Sequence, residues 1–587
     1  GRRDEEPEFE DPTDDQLDRV WSKLEAKEKT YSDEVVRSLA LWSERDIQMT
    51  LIRKLVDRFH EEAGNGAILI FLPGWGDIAK CHYMLQDPDF YVLTLHSLMS
   101  AEEQHKAFEP PPEGQRKIIL STNIAETSVT IDDVVYVIDS GVMKERVYEA
   151  DKDYSSLNTS LVTKANATQR RGRAGRCQAG TVVHLFPSYV LDEMREYPTP
   201  EMLSTSLEEL ILQLKVVSGG DVKATLATSM AQPSDQAMEN AIFVLQPLHA
   251  LNQDKELTLL GRALAALPVH PLVAKTILFG GILRCLKPVA VIAAFLSLKS
   301  PFVQSVDGSE DKGKAIFDAQ SHSDLFCVVQ AYAMWRAAVS RGDSEAFCKE
   351  NGLSEETMEL GRLMVDQFVS FSVGSGYDGA DVDPDDPDSY CEIDVDHLVV
   401  GGKTWTLVKA ALTCGHWPNV VGACTNEYYR GKTVWLNDAA VELVPFRSSV
   451  VSFQSKLPGQ WLVYSDSMKF GRLSTLENTC VHTGYILLCC TELKWHANEV
   501  WMDWWQGTMA QLNSEKVFKL RTNLYLGLKR VLEGRDLSLF PQSTRDSLLE
   551  FLHVDTMHFQ GLTPQVSKPS ALAKEHKYVW ESVEVKE

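Results

Sequence analysis

The amino-acid sequence predicts a multidomain protein: an α/β domain with a doubly wound parallel sheet, then a region of α-helices, then a β-rich barrel. Up to about residue 190, short all-apolar runs alternate with segments whose apolar residues recur at helical spacing. From Tyr197 the pattern is helical, and after Asp396 it changes to short apolar runs at close spacing. A length of 587 residues suits roughly three to five such domains.

The α/β domain is predicted from its elements in order. Apolar residues at helical spacing between Ile47 and Phe59 predict an amphipathic helix, and Ser43 with Asp46 predicts a capping box before it. Residues 67–72 are all apolar, which is typical of a strand buried in a parallel sheet. The same alternation predicts further strands near 91–95, 117–120, 134–138 and 181–186. Domains of this class bind ligands at the carboxyl ends of their strands.

Composition and charge limit the function classes. The chain is 44% hydrophobic and 24% charged, which is ordinary for a globular protein, and its formal net charge is −25. This charge argues against a broadly basic nucleic-acid-binding surface, although acidic tracts can carry the excess while one groove stays positive. Nine carboxylates lie between Asp4 and Asp18, so residues 1–30 are predicted to be an acidic linker. A second acidic tract, 378–396, is predicted to be a loop.

The eleven cysteines are scattered and include no CxxC pair, which indicates neither a zinc site nor a disulfide framework. Cys489 and Cys490 end an apolar run and are predicted to be buried in a strand. Free thiols favour a reducing, intracellular compartment, with cytoplasm, nucleus and mitochondrion left open. No apolar run approaches the roughly 18 residues of a transmembrane helix, so we expect no membrane partner.

Residues 121–176 contain the strongest chemical signal in the chain. The run Ser121–Asp132 is rich in hydroxyl groups and follows an apolar strand, and the run Gln169–Arg176 places four arginines within eight residues. Arginine offers a fixed fork of donors to phosphate oxygens and keeps its charge when partly buried. The alternative is a solvated basic face, but the neighbouring strands favour a surface that handles phosphate.

These two runs resemble a known family. "STNIAETSVTIDD" and "QRRGRAGR" are similar to motifs V and VI of the DEAH/RHA-type (DExH) RNA helicases of superfamily 2. "ILIFLPGWGDI" resembles motif IV, "LHSLMS" resembles the RNA-contacting loop, and "FEPPPEG" resembles the segment whose aromatic ring stacks on adenine. The resemblance implies that residues 31–190 are the second RecA-like domain of an ATP-dependent RNA helicase, with ATP and Mg²⁺ bound between it and a first RecA-like domain.

The resemblance also implies roles for three groups of residues. The catalytic group would act on the γ-phosphoryl group of ATP and comprises Gln169, Arg173 and Arg176, the two arginines being arginine fingers. The nucleoside-binding group comprises Phe108, Thr130 and Asp132. The RNA-binding group would hold phosphates without reading sequence and comprises His96, Ser97, Thr122 and Asn123. For Phe108 the alternative is an ordinary core phenylalanine. No residue of this chain is expected to bind a metal directly.

The rest of the chain follows the order of domains in that family. Residues 141–166 resemble its long β-hairpin, which would wedge apart the strands at the end of a duplex. The resemblance implies a winged-helix domain at 191–265, a helical ratchet domain at 266–375, an OB-like fold with the acidic loop at 376–500, and a helical extension at 501–587. The family usually has Arg at the position of Ser204 and often Pro at that of Ser206, which weakens any claim of nucleic-acid contacts there.

Two later segments carry more specific expectations. "HSDLFCVVQAYAMWRAA" resembles the ratchet helix, in which Leu325, Val328, Val329, Tyr332 and Trp335 are spaced for one buried face and His322–Asp324 lie at the N-cap. The runs "HLVVGG", "WTLVKAAL", "NVVGAC", "KTVWLN" and "GQWLVYSDS" are predicted to be strands of the barrel. The tryptophans near residue 500 predict either a protein-docking face or a buried cap on the barrel.

No segment resembles the first RecA-like domain. Gly402-Lys403-Thr404 and Gly431-Lys432-Thr433 lack the first glycine of a P-loop and are predicted to be turns. We expect the phosphate-binding Lys, the magnesium carboxylate and the water-activating Glu to come from sequence outside this chain, which alone would be inactive as an ATPase. The sequence therefore predicts the C-terminal half of an RNA helicase that translocates on single-stranded RNA and unwinds duplex or structured RNA. The alternative is a non-enzymatic RNA-binding scaffold derived from one.

Overall fold

The computed structural model of the chain describes residues 12–564, except 26–30, 43–46, 63–65, 97–103, 128–130, 151–153, 175, 177, 219–220, 268, 304–311, 375–398, 426–432, 438–439, 453, 455–456, 471, 491–492, 497, 504, 509–513, 535, 537–538 and 554–559. The described residues form two compact units. The first comprises those up to Glu145 together with Leu157–Thr199, and the second comprises Arg146–Ser156 and those from Pro200 onward. The capping box predicted at Ser43 and Asp46 lies outside the described residues.

A five-stranded parallel sheet forms the centre of the first unit, as the sequence predicts. Its order is β2-β3-β1-β4-β7, and the strands are β1 (Ala67–Phe71), β2 (Phe90–Leu95), β3 (Arg116–Ser121), β4 (Val134–Asp139) and β7 (Thr181–His184). Every residue of β1 is buried because both faces of the sheet are covered. Ile68 and Ile70 pack into the core on one face, and Leu69 and Phe71 pack into the core on the other.

The first unit also contains seven described helices. They are α1 (Asp14–Glu25), α2 (Asp33–Ala40), α3 (Met49–Glu61), α4 (Trp75–Met84), α5 (Ile124–Thr127), α6 (Lys164–Arg171) and α7 (Ser188–Glu193). The prediction that all of 1–30 is a solvated linker is wrong for α1. Val20 and Leu24 are buried in a core cluster with Val36 and Tyr189, because one apolar stripe runs along an otherwise acidic helix.

The second unit begins with helices, as predicted from Tyr197 onward. They are α8 (Glu208–Ser218), α9 (Val222–Leu226), α10 (Asp235–Leu245), α11 (Leu259–Ala265), α12 (Pro271–Ile282), α13 (Leu286–Ser297), α14 (Lys312–Phe317), α15 (Asp324–Arg341), α16 (Ser344–Asn351) and α17 (Glu355–Gly374). Short 3-10 turns lie at Lys106–Phe108 in the first unit and at Glu201–Leu203 in the second.

Helix α15 is the segment that resembles the ratchet helix. Ser323 is its N-cap, because the Ser323 side chain accepts a hydrogen bond from the backbone N–H of Phe326 at 3.1 Å. The five residues predicted to share a buried face are all buried. The helix is nevertheless not one-sided, since Phe326, Cys327 and Ala331 are buried as well. Its N-terminal turns are therefore packed on all sides.

Strands of the second unit form several small sheets. One sheet has the order β14-β11-β8-β9 and comprises β8 (Val420–Thr425), β9 (Thr433–Leu436), β11 (Trp461–Val463) and β14 (Thr479–Val481). A second contains β10 (Val444–Pro445), β13 (Arg472–Leu476) and β12 (Asp466–Phe470) and continues into β6 (Tyr154–Leu161) and β5 (Val142–Glu149). The strands predicted at "NVVGAC", "KTVWLN" and "GQWLVYSDS" are therefore present.

Several predictions of local structure in this region are wrong. Residues 399–402 of "HLVVGG" form no strand. "WTLVKAAL" is not a strand but part of helix α18 (Lys403–His416), and Gly402-Lys403-Thr404 is not a turn but the start of that helix, with Gly402 at its N-cap. Cys489 is buried, but it ends helix α19 (Thr483–Cys489) rather than a strand. Helix α19 is buried throughout, and from Trp405 onward every residue of α18 except Lys409 is buried, so their sequences lack the periodicity that separates a helix from a strand.

The C-terminal segment is not only helical. Besides α20 (Ser514–Gly534) and α21 (Gln542–Leu552), it includes strands of the sheet β15 (Leu493–His496), β16 (Glu499–Met502), β17 (Trp505–Thr508) and β18 (Gln560–Pro564). Trp505 is buried, with its ring 4.8 Å from that of Trp461 in an edge-to-face arrangement. The docking-face alternative is therefore wrong for Trp505. Among the described residues, no helix is long and apolar enough to cross a membrane.

Candidate functional site

The conspicuous polar side chains of the first unit follow the carboxyl ends of its strands. Thr122 and Asn123 come directly after β3, where Thr122 is buried and its backbone N–H donates to the carbonyl of Leu95. Asn123 is exposed at the start of α5. Because the strands are parallel, their carboxyl ends lie at one edge of the sheet, where ligands bind in this fold class.

Helix α6 carries the start of the arginine-rich run to this edge. It begins at a capping box in which the Thr163 side chain accepts from the backbone N–H of Asn166, and the Asn166 side chain accepts from the backbone N–H of Thr163. The Asn166 amide also donates to the Glu126 carboxylate of α5. These contacts fix α6 against the segment that follows β3.

Arg170 anchors this helix from within the core. Its guanidinium donates to Asp139 Oδ1 at 2.7 Å and to Glu126 Oε2 at 3.1 Å, and it lies 4.9 Å from the centre of the Phe71 ring. The Arg170 side chain is fully buried and the two carboxylates are nearly so. A buried cation that bonds two carboxylates holds the residues on either side of it in one geometry.

Asp139 remains ionised in this environment. Burial alone raises the pKa of Asp139, but the charge of Arg170 and hydrogen bonds from His184, Arg170 and the backbone of Gly141 outweigh burial, so the pKa is lowered. The His184 Nδ1 lies 3.0 Å from Asp139 Oδ2.

No individual role was predicted from the sequence for Arg170, Glu126, Asp139 or His184. The first two lie inside the recognised motifs, and a lone carboxylate that ends the apolar run "VVYVID" was a further signal, since a buried charge needs a partner.

Arg173 and Arg176, the predicted arginine fingers, lie together just beyond α6. Both line one small cavity with the apolar residues Leu69, Ala125, Ile131 and Val134. Arg173 is only 9% exposed, whereas Arg176 is exposed. Burial first, and then the neighbouring charge of Arg176, lower the pKa of Arg173. Two like charges beside an apolar surface repel each other. A bound anion would lower the electrostatic free energy of the pair.

The other predicted site residues differ in their exposure to solvent. Gln169 is exposed on α6, Asp132 is exposed before β4, and Phe108 is 46% exposed at the end of a 3-10 turn. The alternative of a core phenylalanine is therefore wrong for Phe108. His96 is half-buried, and its ring lies 5.8 Å from that of Trp75. Ser97 and Thr130 lie outside the described residues.

The predicted hairpin consists of β5 and β6, and its distal part belongs to the second unit. There Ser155 and Ser156 of β6 pair in parallel with Met468 and Lys469 of β12. The Asn240 amide of α10 donates to the Tyr148 hydroxyl at 3.1 Å and to the Ala150 carbonyl at 2.6 Å. The distal hairpin is thus fixed both to a helix and to a sheet of the second unit.

Within the part of the chain that the structure describes, no group of three or more His, Cys, Asp or Glu side chains is placed to hold a metal ion. Arg173 and Arg176 place two positively charged side chains around the same cavity.

Comparison with known families assigns two parts of the chain. Residues 48–178 match the helicase conserved C-terminal domain, and residues 270–351 match the ratchet-like helicase associated domain (HA2). The first match includes strands β1 to β4 of the parallel sheet, Arg170 with its two carboxylates, and the paired arginines. The second includes α12 to α16.

Full-length comparisons agree with these matches. The chain is 36% identical over 470 residues to the DExH-box ATP-dependent RNA helicase DExH1 of Arabidopsis thaliana, which covers 78% of this chain and 46% of the relative. It is 36% identical over 471 residues to the human ATP-dependent DNA/RNA helicase DHX36, with the same coverage. It is 33% identical over 530 residues to DExH3 of Arabidopsis thaliana, which covers 88% of this chain and 42% of the relative. The chain thus spans less than half the length of these curated relatives.

Proposed function

Because this chain carries the C-terminal helicase domain and the ratchet-like domain of the DExH/DEAH helicases, we propose that it acts in an ATP-dependent RNA helicase. A first RecA-like domain outside these 587 residues would supply the P-loop lysine, the carboxylate that binds Mg²⁺ and the glutamate that activates water. The observation that carries the proposal is that Arg173 and Arg176 line one cavity together with apolar residues of one face of the parallel sheet.

The arginines suit the charge that develops during phosphoryl transfer. In the transition state, negative charge spreads over the oxygens of the transferred group, and guanidinium groups stabilise it. Arg173 and Arg176 would donate to those oxygens, and Gln169 would orient the γ-phosphate or the attacking water. Burial and mutual repulsion disfavour the charged form of Arg173, so a bound polyphosphate relieves an existing electrostatic cost.

The remaining predicted residues would hold the nucleoside and the RNA. The exposed ring of Phe108 is available to stack on adenine, and Asp132 together with Thr130 would contact the ribose. Asn123 and Thr122 at the end of β3, with His96 and Ser97, would bind RNA phosphates. Contacts of this kind bind any sequence.

The hairpin would couple translocation to strand separation. Opening and closing of the two RecA-like domains around ATP would move single-stranded RNA by steps. The distal part of β5 and β6, fixed by Asn240 and by β12, supports a rigid wedge at the duplex end. Duplex RNA is the primary substrate that we propose, and quadruplex RNA or DNA are variants that the same machinery would accept.

ATPase and unwinding assays distinguish a working helicase from a non-enzymatic RNA-binding scaffold. We expect this chain joined to its first RecA-like domain to hydrolyse ATP faster when RNA is added and to unwind a duplex with a single-stranded overhang. We expect the chain alone to bind single-stranded RNA without hydrolysing ATP. Robust ATPase activity of the highly purified chain alone would show that the division of labour is wrong. RNA binding by the joined protein without any ATPase activity would identify a non-enzymatic scaffold.

A further inference from the structure

Phe108 is held on a short turn whose two sides differ. The turn Lys106–Phe108 places Ala107 fully inside the core, whereas the Phe108 ring that follows it stays partly exposed. Glu109, the next residue, is exposed and extended. An exposed ring stacks on a flat base more tightly when its backbone is fixed, since a loosely held ring loses conformational entropy on binding.

A buried lysine fixes this backbone. Lys117, the second residue of β3, is 2% exposed. Its ammonium group donates to the carbonyl oxygen of Ala107 at 2.9 Å and to that of Glu109 at 2.8 Å. These two acceptors lie immediately before and immediately after Phe108 in the chain. Lys117 therefore holds the backbone of the turn by hydrogen bonds on both sides of Phe108.

The same ammonium group reaches a second segment of the site. Lys117 Nζ lies 2.9 Å from Asp133 Oδ2, and Asp133 directly follows Asp132, the residue predicted to contact the ribose. An ammonium group has three N–H donors, and Ala107, Glu109 and Asp133 match that number. One buried cation thus joins the turn predicted to hold the base to the turn predicted to hold the sugar.

We propose that Lys117 is a positioning residue for nucleoside recognition, setting the Phe108 ring and the Asp132 turn at the spacing of a base and its ribose. This inference rests on the proposed function, because it needs a nucleotide bound beside Phe108 and Asp132. Lys117 does not touch the nucleotide in this proposal. It acts through the backbone on either side of Phe108 and through Asp133, so its loss should weaken nucleoside contacts and spare phosphate contacts.

Inhibition of ATP hydrolysis separates these two kinds of contact. In the chain joined to its first RecA-like domain, ADP reports on nucleoside plus phosphate contacts, and pyrophosphate reports on phosphate contacts alone. We expect Lys117→Met to raise the inhibition constant of ADP about tenfold, the worth of a stacked base, and to leave that of pyrophosphate within about twofold. Phe108→Ala should show the same pattern. Lys80→Met, which removes an exposed lysine of the same unit, should change neither constant.

Asp133→Asn provides a second variant. It keeps both carbonyl acceptors and weakens only the ion pair, and the Asp133 side chain is 41% exposed, so the fold tolerates the change. We expect Asp133→Asn to raise the inhibition constant of ADP less than Lys117→Met does, and to leave that of pyrophosphate unchanged. If Lys117→Met does not fold, the two inhibition constants of Asp133→Asn test the proposal instead, and an ADP constant equal to that of the parent overturns it.

The proposal is overturned if a folded Lys117→Met binds ADP as the parent does, or if both inhibition constants rise equally, which indicates a structural role only. If Phe108→Ala raises the inhibition constant of ADP and Lys117→Met does not, the positioning role of Lys117 is refuted and the proposed function stands. A parent protein without ATPase activity refutes both.

Discussion

Arg170 and Asp139 form an ion pair of 2.7 Å between Nη1 and Oδ1, although both side chains are fully buried. They are 31 residues apart in the chain, and Glu126, the second partner of Arg170, is 44 residues away. The pair therefore connects the end of β4, the segment after β3 and helix α6. The positions of Gln169 and Arg173, which flank Arg170 in the same run, depend on this contact.

Arg170→Met should loosen the sheet edge. The substitution leaves Glu126 and Asp139 buried without their cation, and breaking a buried pair in this way costs about 3–5 kcal/mol. Hydrogen exchange of peptides that cover β4, followed by mass spectrometry, measures the loss. Arg171→Met is the matched control, because the neighbouring Arg171 is exposed. Equal protection of β4 in both variants would contradict the anchoring role.

Arg173→Ala should lower ATP turnover by at least about a hundredfold in the intact enzyme, because one arginine finger is worth about 10³ or more in turnover. Steady-state ATPase assays at saturating RNA provide the measurement. Arg171→Ala, an exposed residue of the same run, should stay within about twofold of the parent. Near-normal ATP turnover by the Arg173→Ala variant would contradict the assignment of Arg173 as an arginine finger.

Lys275→Met should stabilise the second unit at neutral pH. Burial lowers the pKa of Lys275 to about 8, against the weaker opposing influence of Cys414 and Cys489. A lysine whose pKa is lowered on folding costs stability below the folded value, and that cost disappears as pH rises from about 8 towards the unfolded value near 10.4. We expect Lys275→Met to raise the unfolding free energy by about 1–3 kcal/mol at pH 7.

The gain from Lys275→Met should shrink as pH rises towards 10, since the parent then folds with a neutral amine. Urea denaturation at the two pH values measures the difference. Lys349→Met, which changes an exposed lysine, should give no gain at either pH. A gain that does not vary with pH would assign the effect to packing rather than to charge.

Asn240→Ala should uncouple unwinding from hydrolysis. The substitution removes the hydrogen bonds to Tyr148 and Ala150 that fix the distal hairpin. Since each such bond is worth about 1 kcal/mol, we expect unwinding to fall about fivefold. RNA-stimulated ATPase activity should stay unchanged. Comparing both rates with those of Glu239→Ala, an exposed neighbour on α10, tests this expectation. Parallel loss of both activities would argue against a wedge.

The parallel sheet of the first unit was predictable from sequence because its information is local. Each strand is a short all-apolar run bounded by polar residues, and the alternation with helical segments predicts parallel pairing. The site motifs follow from the same logic, since the polar residues after β3 must emerge at the carboxyl edge. Their identification as helicase motifs came from resemblance, and the comparisons bear it out.

Long-range packing decided the rest. Helix α19 and most of helix α18 are buried, so no polar stripe marks their period, and only their neighbours select helix over strand. The distal hairpin belongs to the second unit because β6 pairs with β12, a partner more than 300 residues away by number.

The class of the first domain, the order of helical and β-rich regions, and the arginine-rich run Gln169–Arg176 were all readable from the residues alone. Three features appear only in the folded chain: Arg170 is a buried anchor, Arg173 shares a cavity with Arg176, and Lys117 bonds the backbone on both sides of Phe108. The physical reason is that a buried charge is stable only beside its partners, and here those partners come from segments that meet only when the chain folds.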